Sequence, residues 1–312
     1  MVESLRVKAV DALLSGLIDY AGLFPPARED MRTALQNYVS YRESNDRPAL
    51  GRFIVPVSRL NELEQTGNDL MQRRAVSEPW RLSVLIADQT RVGAQAIIDF
   101  NARHGSGSSD GHAVIDVAEL KATTPDQIAR YQSELPGSFN VYFEIPTRGG
   151  VTSLVQAIAR AGARAKVRTG GVTPESIPPA EEIVDFIVAC QSARVAFKAT
   201  AGLHHPIRGS YPLTYEPDSK IGAMYGFLNV FVAAALIYSG EGKATAIAAL
   251  GESDPRAFLF DDDGIIWRGK RVTAEQIEAS RRDFATSFGS CSFREPIDEL
   301  AALIAARRPR YQ

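Results

Sequence analysis

The chain has 312 residues, with 35 Lys and Arg against 37 Asp and Glu and a formal net charge of −2. That balance gives no electrostatic reason to expect nucleic acid or an anionic membrane as a partner. Hydrophobic residues make up 45 % and charged residues 23 % of the chain, which excludes a largely disordered protein and permits a large core.

In chain order, the opening MVESLRVKAV mixes charges with apolar residues and has no apolar signal-peptide core, so export is not expected. One unit then repeats: a short β-rich run, a polar or Gly/Pro turn, and an amphipathic stretch. The runs are LIDYAG (17–22), RFIVPV (52–57), RLSVLIAD (81–88), AVIDVAEL (113–120), FNVYFEIP (139–146), ARAKVRTG (163–170), RVAFKATAG (194–202) and FATSFGS (284–290). Strands alternating with helices imply a parallel sheet, and this number of runs closes an α/β (β/α)8 TIM barrel. Helix boundaries are marked by Pro25 and Pro26, and by Thr124 as N-cap with Pro125 at the first helical position.

The interval from Gly202 to Phe284 is longer than the others. It reads as a polar loop (HHPIRGSYPLTYEPDSK), an apolar helix over about 221–239, a shorter helix near 245–250, and a β-hairpin over 256–273 signalled by Asp-Asp-Gly. The apolar run from Met224 to Tyr238 is interrupted by Asn229 and is shorter than the roughly 20 residues of a membrane span. The expected architecture is one barrel domain, 1–312, with an N-terminal helix and the hairpin inserted before strand eight. Cys190 and Cys291 are the only two cysteines and cannot form a disulfide framework, which suits a cytoplasmic protein.

Barrel active sites lie at the carboxyl ends of the strands. The polar residues late in the runs are Asp19, Asp88, Asp116 or the opposite-parity pair Glu119 and Lys121, Tyr142 with Glu144, Lys166 with Arg168, and Lys198 with Thr200. Lys166 and Lys198 stand out, because a lysine pointing into a barrel must be paired, neutral or reactive. Two neighbouring lysines can leave one amine neutral, as Schiff-base chemistry requires; a structural ion network with Asp116 and Glu144 is the alternative. Thr169-Gly170-Gly171 and Gly289-Ser290-Cys291-Ser292 are small-residue turns suited to an anion at a helix N-terminus. His204 and His205 are adjacent at the barrel mouth, suited to acid/base work or substrate contact.

Taken in order, LIDYAGL, AVIDVAEL, VYFEIP, KVRTGG, VAFKATAGL and SFGSCSF resemble, strand for strand, deoxyribose-phosphate aldolase and its class I aldolase relatives. The resemblance implies Lys166 as the Schiff-base former, Lys198 as the second lysine that lowers its pKa, and Asp116 as a partner in proton transfer. It also implies that turns containing Gly170, Gly171, Gly202, Gly289, Ser290 and Ser292 hold a substrate phosphate. Arg168 stands where that family has a small hydroxyl residue, and Leu203-His204-His205-Pro206 replaces its compact loop.

The expected function is a Schiff-base-forming lyase acting on a small carbonyl compound that bears a phosphate or carboxylate. Its catalytic set is Lys166, Lys198, Asp116, Glu144 and His204. Asp19, Arg168, Thr169 and His205 join the glycines and serines in substrate binding. The alternatives are an acid/base enzyme using His204 or His205, and a non-catalytic small-molecule-binding barrel. Neither a metal nor an organic cofactor is expected, the partner is a small-molecule substrate, and homo-oligomerisation is left open.

Overall fold

A computed structural model describes residues 7–71, 78–87, 89–105 and 112–306. Helix α1 (Lys8–Leu14) leads into β1 (Ile18–Tyr20). There follow α2 (Met31–Glu43), β2 (Leu50–Pro56), α3 (Leu60–Met71), β3 (Trp80–Leu85), α4 (Thr90–His104), β4 (Ala113–Lys121) and α5 (Pro125–Glu134). The alternation continues through β5 (Asn140–Glu144), α6 (Val151–Arg160), β6 (Arg164–Arg168), α7 (Ala180–Ala193) and β7 (Phe197–Thr200). Beyond β7 come β8 (Gly209–Pro212), β9 (Ile221–Met224), α8 (Phe227–Tyr238), α9 (Lys243–Leu250), β10 (Phe258–Asp261), β11 (Gly264–Trp267) and β12 (Lys270–Thr273). The chain then passes through α10 (Ala274–Asp283), β13 (Ala285–Ser290) and α11 (Arg294–Ala305).

Eight strands close in the order β1-β13-β7-β6-β5-β4-β3-β2, all neighbours parallel. This is the (β/α)8 TIM barrel that the eight runs imply, and the last run supplies the closing strand. Its strands are apolar on both faces because helices cover the outside and side chains fill the inside. Asp30 caps α2 by accepting from Thr33 N at 2.9 Å, and Thr124 caps α5 by accepting from Gln127 N at 3.2 Å. At the amino-terminal end, buried Arg281 donates to the carbonyls of Leu13 (2.9 Å) and Ser15 (3.0 Å), and also to those of Ala285 and Thr286. These bonds tie the end of α1 to the start of β13.

Two parts of the long interval differ from expectation. The polar loop contains a second hairpin, β8 with β9, whose pairing of Gly209 with Met224 delays the start of α8 to Phe227. The inserted segment is a three-stranded antiparallel meander, β10-β11-β12, rather than a single hairpin. Asp262-Asp263 makes the first turn. The second turn is Arg268-Gly269, where both residues have positive φ (45° and 80°), the backbone of a type I′ turn. The meander packs against α1 and α10, outside the barrel.

Asn229, the polar break in the apolar run, is fully buried in α8. Its Oδ1 accepts from Arg208 N at 2.7 Å, and its Nδ2 donates to the carbonyls of Ala249 (2.9 Å) and Glu252 (2.8 Å). One amide therefore anchors both the segment entering β8 and the end of α9. Asn229→Leu keeps the volume but strips two buried backbone carbonyls and one partly buried amide of their partner, and should lower the unfolding free energy by about 3 kcal/mol. Urea denaturation measures this; a change under about 0.5 kcal/mol would show that water replaces the amide.

Candidate active site

The ladders set a row of charge across four strands. Lys121 pairs with Glu144, Glu144 with Lys166, and Lys166 with Lys198. The two lysines are therefore opposite one another near the carboxyl ends of β6 and β7, and both turn inward, 5 % and 2 % exposed. Lys198 Nζ donates to Asp19 Oδ2 at 2.6 Å and to Glu119 Oε1 at 2.7 Å. Lys166 Nζ lies 2.8 Å from Glu119 Oε2 and 2.9 Å from Glu144 Oε2. Glu119 thus stands between the lysines with one oxygen on each. Its two oxygens are not equivalent: Oε1 accepts from both Lys198 and Ser83, whereas Oε2 has the 2.8 Å contact to Lys166 and no other donor among the described residues.

Each carboxylate is itself held. Ser83 Oγ donates to Glu119 Oε1 at 2.5 Å, and Ser287 Oγ to Asp19 Oδ2 at 2.8 Å. The register between β1 and β2 slips by one residue, pairing Ile18 with Leu50 but Tyr20 with Phe53. Asp19 Oδ1 fills the gap by accepting from Arg52 N at 2.7 Å. A Cβ on Gly51 would come within 2.3 Å of that oxygen, so the approach requires glycine there.

Burial alone would raise the Glu119 pKa, but the two lysines outweigh it and hold the carboxyl well below the usual carboxylate range. Burial alone would lower the Lys198 pKa, but Asp19 and Glu119 outweigh it and raise it. For Glu144, Lys166 and Arg168 overcome burial and lower the pKa. Lys198 is thus a locked cation, and its charge is compensated twice over, which limits the repulsion it exerts on Lys166. Arg168, its side chain 46 % exposed, reaches Glu144 Oε1 at 3.4 Å and forms the outer rim.

Asp116 does not join this cluster. A bulge in β4 pairs Leu82 with Ile115 but Ser83 with Val117, leaving Asp116 as the extra residue. Nearer the amino-terminal ends, its carboxylate takes Arg52 Nε and Nη2 at 2.6 Å each and Arg81 Nη2 at 2.7 Å. The carboxylate between the lysines is Glu119, three residues on and in the other parity. The countercharge needed by two inward lysines was the signal for it. Tyr142 also belongs to a lower level, its hydroxyl 3.0 Å from Thr286 Oγ1 and its ring 5.5 Å from Lys198 Nζ. Asp88 lies outside the described residues.

The small-residue turns are largely occupied by their own contacts. Thr169 Oγ1 donates to Ala201 O at 2.7 Å, while Thr200 O accepts from Thr169 N at 2.9 Å. A Cβ on Gly170 would sit 3.1 Å from Gly202 Cα, and one on Gly171 would meet Ser176 Oγ at 2.3 Å. Gly289 is a buried residue of β13, and Ser290 Oγ accepts from Ser292 N at 3.3 Å. Ser292 Oγ accepts from Glu295 N at 3.2 Å, capping the start of α11. The histidines turn to α11: His204 Nδ1 lies 3.2 Å from Glu295 Oε2 and His205 Nδ1 2.9 Å from Glu299, with His205 stacked on Tyr211 at 3.5 Å. They form a second cluster at the mouth, joined to the lysines by no hydrogen bond among the described residues.

No protein-family model matches the chain, and no curated protein matches it.

Breaking a buried ion pair strands its partner, so Lys198→Met should destabilise the fold by about 3–5 kcal/mol near neutral pH. The raised Lys198 pKa contributes stability that is complete below the ordinary lysine value of about 10.4 and is lost at higher pH. The lowered Glu119 pKa contributes stability present above about pH 4.3 and lost as pH falls. The difference between wild type and variant should therefore be largest between about pH 5 and 10. Denaturation across pH measures it, and a pH-independent difference would contradict the charge assignment.

Proposed function

We propose that the protein is a Schiff-base-forming lyase of the class I aldolase type, with Lys166 as the reacting amine and a small carbonyl compound bearing an anionic group as substrate. The observation that carries this reading is the unequal treatment of the two inward lysines. Lys198 is fixed by Asp19 and by the Glu119 oxygen that Ser83 also holds, whereas Lys166 meets the other Glu119 oxygen, which has no further donor among the described residues, and the rim carboxylate Glu144. An amine that must attack a carbonyl needs its nitrogen free to realign, with a proton acceptor in reach.

In this reading the Lys166 ammonium gives up a proton to solvent as substrate enters, and Glu119, 2.8 Å from Nζ and held ionised by the two lysines, orients the amine and then faces the cationic imine. The amine adds to the substrate carbonyl, and loss of water gives the imine. The protonated imine then draws electrons from the carbon–carbon bond being broken and becomes an enamine, while Glu144, 2.9 Å from Lys166 Nζ, takes the proton of the β-hydroxyl and the second carbonyl product leaves. Lys198 and Asp19 act as positioning residues that hold Glu119. Arg168 and exposed Lys121 on the rim supply positive charge for the substrate's phosphate or carboxylate, and Arg suits bidentate capture of either.

An acid/base mechanism on the histidines has less support. The His204 pKa is raised to about 9, because Cys291 and Glu295 overcome the lowering effect of burial, which makes it a cation rather than a base at neutral pH.

Incubation with a panel of small aldehydes and ketones, followed by borohydride reduction, should fix a stoichiometric adduct on Lys166 and none on Lys198. Lys166→Met should abolish it. Peptide mass mapping reads the outcome, and adducts confined to surface lysines would sink the proposal.

A further inference from the structure

At the amino-terminal end of the barrel, a cavity of about 380 Å³ opens where α2 ends beside the starts of β2 and β3, a volume within the range of small-molecule sites. Its wall holds three guanidinium groups, Arg42, Arg47 and Arg81, and among the described residues one carboxylate, Glu78. Pro48 and Pro79 supply an apolar side. Arg42, in the last turn of α2, donates to the carbonyls of Glu78 (2.5 Å) and Pro79 (3.3 Å), which carry no formal charge. Arg81 reaches Asp116 Oδ2 at 2.7 Å through Nη2, and Asp116 is already matched by the two bonds from Arg52. Nε and Nη1 of Arg81 have no hydrogen-bond partner among the described residues. Arg47 Nη2 lies 2.7 Å from Glu78 Oε2, on a side chain that is 72 % exposed, and an exposed pair of this kind holds weakly. Three cations against one anion leave the lining with two positive charges in excess. The carboxyl end of α2 adds only about half a negative charge.

We propose that this cavity binds a phosphate-bearing small molecule, with Arg81 and Arg47 on the phosphate and the apolar side against the organic part. A phosphate ester carries about 1.5 to 2 negative charges near neutral pH, which answers the excess charge of the lining. A carboxylate would leave half of that excess unmatched. Planar guanidinium groups suit the several oxygens of a phosphate, which can take paired N–H donors from each fork. The side chains of Arg47 and Arg81 are 40 % and 56 % exposed, so a ligand reaches them from solvent. Glu78 is the internal anion that the ligand displaces from Arg47. The site lies at the end of the barrel opposite the lysine cluster, and the proposal does not depend on Lys166 chemistry.

The test titrates the full chain calorimetrically at neutral pH and fixed ionic strength with phenyl phosphate, and with benzoate as the monoanion of the same ring. Phenyl phosphate should bind at least about tenfold more tightly than benzoate. Arg81→Gln should weaken phenyl phosphate about tenfold, and Arg47→Gln about threefold. Arg81→Lys, which keeps the charge and loses the fork, should fall between wild type and Arg81→Gln. Arg168→Gln removes anion capture at the mouth and should leave this binding in place. Circular dichroism checks that each variant is folded; should Arg81→Gln not fold, Arg81→Lys and Arg47→Gln decide. Equal affinity for the two probes, no binding of phenyl phosphate, or a loss caused by Arg168→Gln and not by the Arg81 and Arg47 variants overturns the proposal.

Discussion

The mouth of the barrel is organised around one buried carboxylate, Glu119, shared by lysines from two neighbouring strands. Burying charge is costly unless every member is paired and hydrogen-bonded, and much of the surrounding sequence meets that condition. Ser83 steadies the oxygen facing Lys198. Asp19 supplies Lys198 with its second acceptor and is itself held by Ser287 and by Arg52 N. The glycine at position 51 and the register slip beside it are what let Asp19 reach that amide. Removing either lysine, Asp19 or Glu119 would strand a charge, which makes the cluster a constraint on stability.

Lys198 meets two carboxylates that Ser83, Ser287 and Arg52 N hold in turn, whereas Lys166 meets Glu119 and the rim carboxylate Glu144, and the proposed mechanism assigns the first a positioning role and the second the reacting amine. Toward solvent, Glu144 links Lys166 to Arg168 and Lys121, so positive charge lies where a substrate's anionic group would enter. On another side of the mouth, His204, His205 and Tyr215 fasten the loops beyond β7 to α11. Glu295, near the start of that helix, already occupies the place of an anion, with Ser292 as cap. In the proposed mechanism, charge on Arg168, more than a glycine cradle, is therefore the feature that recognises the substrate.

The barrel was legible because its signal is redundant: eight β-rich runs, each followed by an amphipathic stretch with boundary residues such as Thr124-Pro125. The inward lysines were legible as charges inside apolar runs. Glu119 was harder to choose over Asp116, since parity along a strand fails at a bulge and no composition cue marks the extra residue. The β8–β9 hairpin was hidden by its polar sequence, and the third strand of the meander by an Arg-Gly turn, weaker than the Asp-Asp-Gly before it. The small-residue turns after β6 and β13 look alike whether they bind an anion or pack loop against loop. Only the approach of Gly170 to Gly202 and the cap made by Ser292 favour packing.

The most direct measurement is a pair of double-mutant cycles on unfolding free energy, combining Glu119→Gln with Lys198→Met and, separately, with Lys166→Met. The hydrogen bond from wholly buried Lys198 to the Glu119 oxygen that Ser83 also holds, against the contact of Lys166 with an oxygen that has no other donor among the described residues, predicts a Glu119–Lys198 coupling larger than the Glu119–Lys166 coupling by about 1 kcal/mol or more. Equal couplings, or a larger one to Lys166, would contradict the proposed division of the two lysines into a positioning cation and a reacting amine.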